Sequence, residues 1–250
     1  MRPRQATAAV AGTAAVAAAS YWGVAAAVMR PGRRLLGDRL VLCSVRTAEP
    51  LLALTFDDGP DPALVGRFLA ALDGSPCTFF VLGEGVRRAP GLARLTVATG
   101  HELACHGDTH HSLARLPPRA TAVALRRARD AIADACGHAP RFYRPAYGVF
   151  NLAGWCAAPR LGMRRTLWSA WARDWEERAT PALIAARTLR AAAPGAILLL
   201  HDADGSPGAP ERTLAALPLI LDGLRQRGLR TVTLSELVAA GDGSVARDQG

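Results

Sequence analysis

Two adjacent aspartates, Asp57 and Asp58, end an apolar segment and precede a Gly-Pro turn. A single carboxylate in a turn commonly accepts hydrogen bonds from nearby backbone N–H groups. Two neighbouring carboxylates repel each other unless a cation or an arginine lies close to them. The pair therefore predicts a functional role in addition to a turn.

Two histidines, His106 and His110, are four positions apart. On one helical turn their imidazoles would lie on the same face and could share a cation. Two histidines and one carboxylate form a three-ligand site with an open position, as in catalytic zinc and non-haem iron centres. Either Asp57 or Asp58 could be the third ligand, which would leave the other as a base.

Three further polar positions allow both a structural and a catalytic interpretation. His201 follows four apolar residues and is either a buried histidine bonded to a carbonyl or a general acid or base. Its partner would then be a carboxylate such as Asp174. Arg144 either lies on the surface or orients a catalytic aspartate. The Asp174-Trp175 pair is either a surface turn or a carboxylate that tunes a histidine beside a stacking tryptophan.

Short apolar segments that alternate with amphipathic ones position these residues. The predicted strands are 51–56, 78–82, 102–105, 141–144, 166–170, 196–200 and 231–234, and the predicted helices are 63–72, 119–136, 181–193 and 213–227. This alternation predicts a parallel α/β sheet with covered faces, and polar residues at the carboxyl ends of its strands mark the active face. The pattern alone fits a closed or partly open barrel and a doubly wound sheet equally well.

Composition excludes several classes of protein. Half of the 250 residues are apolar, which excludes a disordered chain. All 30 basic residues are arginines and the net charge is +9, so either coding bias or an anionic partner explains the excess. The arginines are scattered and aromatic residues are only 6%, so we expect no nucleic-acid binding. Five cysteines without a CxxC motif indicate neither a zinc ribbon nor a disulfide framework.

The N-terminal segment is apolar. Residues 6–29 carry no charge, and this length suffices to cross a bilayer. Three interpretations fit: a signal anchor, a signal peptide cleaved near residues 25–27, or an alanine-rich helix on a cytoplasmic protein. Arginines on both flanks leave the orientation undecided.

The polar clusters, in their order along the chain, resemble the motifs of the polysaccharide deacetylases, which carry the NodB homology domain of carbohydrate esterase family 4. The resemblance covers about residues 50–240. The matching segments are 55–60 (Thr-Phe-Asp-Asp-Gly-Pro), 106–110 (HxxxH), 144–148 (Arg-Pro-Ala-Tyr-Gly), 174–175 (Asp-Trp) and 199–201 (LxH). The family fold is a distorted (β/α)7 barrel, here preceded by an apolar N-terminal helix.

The resemblance implies a role for each matched residue. Asp57 is the general base and Arg144 orients it. Asp58, His106 and His110 hold a divalent metal, with Zn²⁺ expected and Co²⁺ or Mn²⁺ as alternatives.

The remaining motifs supply the other half of the implied site. The backbone N–H of Tyr147 helps to hold the oxyanion, and Leu199 lines the acetyl pocket. His201 is the general acid, Asp174 keeps it protonated, and Trp175 belongs to the substrate-binding surface.

Two residues depart from the family pattern. Gly107 stands where the family usually has Ser or Thr, so a hydroxyl near the metal site is lost. Trp171 stands where the fourth motif often has Asp, which indicates a different substrate groove. Neither departure affects the implied ligands, base or acid.

The resemblance implies an enzyme that removes N-acetyl groups from a GlcNAc-containing polysaccharide, with the cell wall as the expected source. The alternatives are an O-acetyl esterase of the xylan type and an inactive carbohydrate-binding module. We expect a signal segment (1–29), a linker (30–48), the catalytic domain (49–240) and a flexible tail (241–250). The expected protein is a monomer in the cell membrane with its catalytic domain outside, or a secreted protein after cleavage.

Overall fold

The structure is a computed structural model that describes residues 40–113, 116–203, 205 and 207–247. The apolar segment 6–29 and most of the predicted linker lie outside the described residues. None of the helices within those ranges is long and apolar enough to cross a membrane.

Eight parallel strands form one curled sheet. They are β1 (Leu51–Asp57), β2 (Thr78–Leu82), β3 (Glu102–Gly107), β4 (Phe142–Tyr143), β5 (Arg164–Arg165), β6 (Ala170–Trp171), β7 (Ile197–His201) and β8 (Arg230–Thr231). The order is β5-β4-β3-β2-β1-β7-β6, and β8 also pairs with β1. Strands β1 and β2 are buried along their whole length, as expected for a parallel sheet covered on both faces.

Helices cover the outside of the sheet. They are α1 (Val65–Leu72), α2 (Gly83–Arg88), α3 (Pro90–Ala98), α4 (Pro118–Cys136), α5 (Leu152–Arg160), α6 (Pro181–Ala191), α7 (Ala209–Gln226) and α8 (Leu234–Arg247). Proline at the first position begins α3, α4 and α6, where its fixed φ suits a helix and its missing N–H costs nothing. Helix α6 is also capped by Thr180, whose hydroxyl accepts from the N–H of Leu183.

Because side chains alternate between the two faces of the sheet, the hydrophobic core consists of two clusters. Along β1, Leu52, Leu54 and Phe56 belong to the cluster beneath the helices, whereas Leu51 and Ala53 belong to a second cluster inside the curl. Successive side chains point to opposite faces, so Asp57 continues the inner row. Helix α8 adds Leu234 and Leu237 to the inner cluster.

The predicted linker contributes to the fold. Leu42 bridges Thr166 and Ser44 bridges Ala196, and Val41, Leu42 and Cys43 are buried. These apolar side chains belong to the two core clusters, so residues 41–44 are part of the folded domain instead of a linker.

Two strand predictions need correction. The segment 166–170 is not one strand, because β5 ends at Arg165, Thr166 makes only an isolated bridge with Leu42, and β6 begins at Ala170. The last predicted strand stops at Thr231, since Thr233 and Glu236 cap the start of α8 through the hydrogen bonds from Thr233 to the Glu236 carboxylate.

The predicted tail also differs from the structure, because α8 continues to Arg247. Gly241 lies inside this helix instead of ending it. A Cβ at Gly241 would lie 2.2 Å from Cγ1 of Val45, so this glycine permits close packing.

Candidate active site

Side chains on the inner face of the sheet lie close together at the carboxyl ends of the strands. Asp57 is the register partner of His201 on β7, so the two side chains point to the same side of the sheet. His106 is the last residue but one of β3 and lies on that side, and Arg144 follows β4. Strand alternation therefore brings together four residues that are far apart in the sequence.

Asp57 is held by a buried arginine. Nη1 of Arg144 donates to Asp57 Oδ1 at 2.6 Å and to Thr55 Oγ1 at 2.9 Å, and Nη2 donates to the Leu167 carbonyl at 2.8 Å. The guanidinium also lies 3.9 Å from the ring centroid of Phe80. Burial lowers the pKa of Arg144, the Asp57 charge opposes this shift, and an arginine stays protonated in either case. Asp57 Oδ2 takes no part in this pair and is left for other chemistry.

Asp58, His106 and His110 form a compact cluster of potential metal ligands. Asp58 Oδ1 lies 3.3 Å from His106 Nε2 and 3.1 Å from His110 Nε2. Metal–ligand bonds of about 2.0–2.2 Å place the ligand atoms of one ion about 3–3.5 Å apart. Asp58 Oδ1 is buried and has no hydrogen-bond partner among the described residues. The three residues therefore fit a divalent cation.

The protonation of this cluster also suits a cation. Burial raises the pKa of Asp58, but His106 and the other nearby imidazoles outweigh it, so the pKa is lowered overall. Burial lowers the pKa of His110. An ionised carboxylate and a neutral imidazole are the forms that bind metals.

The two histidines do not share a helical turn, so that prediction was wrong. His106 belongs to β3, and the chain bends at Gly107, where φ is +117°. His110 lies in the following loop. The two rings nevertheless stack with centroids 5.7 Å apart, because the bend returns the chain towards Asp58.

The bend explains why a glycine stands at position 107, where the sequence comparison indicated only the loss of a hydroxyl. A φ of +117° is a conformation that residues with a Cβ rarely adopt. We expect Gly107→Ser to destabilise the metal-free protein by about 1–3 kcal/mol, measured by urea unfolding. Gly66→Ser is the matched control, because a Cβ at Gly66 meets nothing within 4 Å. Equal stabilities of the two variants would contradict a backbone role for Gly107.

His201 is held by a buried carboxylate. Asp174 Oδ1 lies 2.9 Å from His201 Nδ1, while Oδ2 accepts from the His201 backbone N–H and from the Thr213 hydroxyl, both at 2.7 Å. Burial lowers the pKa of His201, but the charge and hydrogen bond of Asp174 outweigh it and raise the pKa to about 9. The imidazole is therefore protonated at neutral pH. The surface-turn interpretation of Asp174 is wrong, because its carboxylate is fully buried.

A cavity of about 310 Å³ opens above these groups. Besides the two aspartates and three histidines, it is lined by Tyr147, Gly148, Trp168, Trp171, Trp175, Leu199 and Gly205. Tyr147 has a φ of +61° and is 63% exposed, and its ring lies 4.7 Å from that of His110. All ten residues singled out in the sequence thus lie in or directly behind one cavity.

Several residues of this site received no role from the sequence, among them Thr55, Thr213 and Trp168. Thr55 bonds Arg144, Thr213 bonds Asp174, and Trp168 lines the cavity. Thr55 could have been found, because it shares the inner face of β1 with Asp57. Thr213 carries no such signal, since only the docking of α7 brings it to Asp174.

A curled parallel sheet with paired carboxylates and histidines at its carboxyl edge has the groups that metal-assisted hydrolysis needs: potential metal ligands, a base and an acid. Residues 44–166 match the family model of the polysaccharide deacetylases. A chitooligosaccharide deacetylase of Bradyrhizobium sp. is 36% identical over 74% of this chain and 89% of its own length. The chain belongs to the polysaccharide deacetylase family.

Two further similarities agree with this assignment. A peptidoglycan-N-acetylglucosamine deacetylase of Bacillus cereus is 32% identical over 79% of this chain and 92% of its own. The structure of a family 4 acetyl xylan esterase from Clostridium thermocellum, in complex with a cobalt ion, superposes with a TM-score of 0.69 at 31% identity, covering 76% of this chain and 90% of that one. The predicted distorted (β/α) barrel is thereby confirmed.

Proposed function

We propose that this protein removes N-acetyl groups from a GlcNAc-containing polysaccharide of the cell wall. One observation carries the proposal: a carboxylate paired with arginine (Asp57) and a histidine paired with carboxylate (His201) line the same cavity as the cluster of Asp58, His106 and His110. Deacetylation of an amide requires a base for the attacking water and an acid for the departing amine. The two pairs supply both.

Asp57 is the proposed base. Arg144 holds Oδ1, so the carboxylate is fixed in one orientation with Oδ2 towards the cavity. There it can accept a proton from a water that attacks the acetyl carbon. A divalent cation bound by Asp58, His106 and His110 would polarise the carbonyl and acidify the water. Zn²⁺ is the proposed ion, and Co²⁺ also suits two imidazoles and a carboxylate.

His201 is the proposed acid. An amine leaves poorly unless it is protonated, and the raised pKa of His201 keeps a proton on its ring at neutral pH. Asp174 bonds Nδ1, which leaves Nε2 to donate to the leaving nitrogen. The backbone N–H of Tyr147, at the opposite side of the cavity, is the proposed donor to the oxyanion.

Acetate release from a panel of substrates tests the proposal. The metal-loaded domain is incubated with N-acetylated chitooligosaccharides, peptidoglycan and acetylated xylan. We expect acetate from the first two. Release from xylan alone would favour an O-acetyl esterase, which the similarity to an acetyl xylan esterase keeps as a second candidate. Binding without release from any substrate would indicate a carbohydrate-binding module and overturn the proposal.

The pKa of His201 can be measured without any metal. We expect ¹⁵N NMR titration of the metal-free protein to give a pKa of about 9, with the protonated form lost as the pH rises through that value. Asp174→Asn removes the opposite charge and should lower the pKa by more than about one unit. An unchanged pKa in this variant would show that Asp174 does not tune His201.

We further propose that residues 6–29 tether the domain to the membrane, with the domain on the outer side. The uncharged length of this segment supports the proposal. Cell fractionation and protease added from outside test it. We expect a membrane-bound protein that the protease degrades in intact cells; a full-length protein in the cytoplasm would contradict the tether.

A further inference from the structure

Trp171 occupies an unusual place in the cavity wall. It ends β6 and is the register partner of Leu199 on β7. Register partners on parallel strands project to the same face of a sheet, so the indole and the Leu199 side chain lie side by side. Both line the cavity.

Two other tryptophans pack against Trp171. Its ring centroid lies 5.6 Å from that of Trp168 and 5.5 Å from that of Trp175. Trp175 in turn lies edge-on to His201, with centroids 5.5 Å apart. Trp168 lies at the other end of this row, where a Cβ at Gly148 would come within 2.6 Å of its ring. The three indoles are half-buried, and the contacts on both sides of the central ring resist its displacement.

The lining of the cavity indicates where an acyl chain would lie, and this step rests on the proposed function. In that function Asp57 faces the attacking water and His201 faces the leaving nitrogen, so the polar groups of the cavity are engaged by the reacting atoms. The apolar side chains that line the cavity are those of Trp168, Trp171, Trp175 and Leu199. An acyl chain is apolar, so its favourable position is against these side chains.

We infer that Trp171 is a specificity-determining residue that limits the acyl group to acetyl. The methyl of an acetyl group contacts the wall, whereas the two extra methylenes of a butyryl group would have to displace the indole. One methylene in a well-packed pocket changes kcat/KM by about 10- to 200-fold. Acetyl groups are therefore accepted, and longer acyl chains are excluded.

Activated aryl esters of acetate, propionate and butyrate measure this selectivity directly, because only the acyl chain differs among them. We expect the wild-type protein to prefer acetate, and Trp171→Ala to raise the butyrate-to-acetate ratio of kcat/KM by about tenfold or more. Trp171→Phe should give a smaller increase. Trp155→Phe is the control, since Trp155 packs against Phe150 and Arg165 and is not among the residues that line the cavity.

Each result decides one question. An unchanged ratio in a Trp171→Ala variant that still hydrolyses acetate would overturn the inference but not the proposed function. A wild type that hydrolyses none of the esters and releases no acetate from glycans would overturn the proposed function itself. If Trp171→Ala is inactive, calorimetry gives the ratio of binding affinities for N-butyryl and N-acetyl glucosamine trimers. The proteins compared are Asp57→Asn with and without Trp171→Ala. If the proteins with tryptophan and with alanine at position 171 show the same preference for the N-acetyl trimer, the inference would again be overturned.

Discussion

Asp57→Asn is expected to lower kcat/KM by about 10²- to 10⁴-fold for every acetylated substrate, because each of them needs a base for the attacking water. Asn keeps an oxygen that can accept from Arg144, but it removes the charge opposite this buried guanidinium, so a lower melting temperature is also expected. Acetate release from an N-acetyl oligosaccharide and from an activated aryl acetate measures the effect. A melting temperature that stays above the assay temperature shows that the loss of activity is not caused by unfolding.

His201→Ala is the companion variant, and its effect should depend on the leaving group. The amide should lose about 10²- to 10⁴-fold, because its amine must be protonated as it departs. The activated aryl acetate should lose much less, because a phenolate leaves without a proton. Equal losses on both substrates would show that His201 does not protonate the leaving group, and its role in orienting substrate or water would then have to be considered.

His110→Ala is expected to lower the affinity for Zn²⁺ or Co²⁺ by more than about 100-fold, since losing a ligand costs more than the 10- to 100-fold typical of a supporting residue. Metal content after dialysis and competition with a chelator measure the change. His111→Ala is a matched control at the next position, because His111 bonds the Thr109 hydroxyl and is not part of the cluster. Wild-type affinity in His110→Ala would exclude the proposed ligand set, and a loss in both variants would indicate only a disturbed loop.

The sequence alone determined the central strands and the residue types of the site. Apolar runs placed β1, β2, β3 and β7 to within one or two residues, because strands buried on both faces need continuous apolar side chains. Residue type identified Asp57, Asp58, His106 and His110 as potential base and ligands. The order of the motifs also indicated the family and, with it, the barrel fold. The spacing of the strands alone could not distinguish this barrel from a doubly wound sheet.

Only the tertiary structure decided how these residues meet. The turn at Gly107, and not a helix, brings His110 to Asp58. A spacing of four residues is compatible with a helical turn and with this bend, so the spacing could not distinguish them. Asp174 reaches His201 and Thr213 because β6, β7 and α7 pack together, and Trp171 faces the cavity because its register partner is Leu199. Strand register and helix docking depend on contacts between distant parts of the chain, which sequence spacing does not specify.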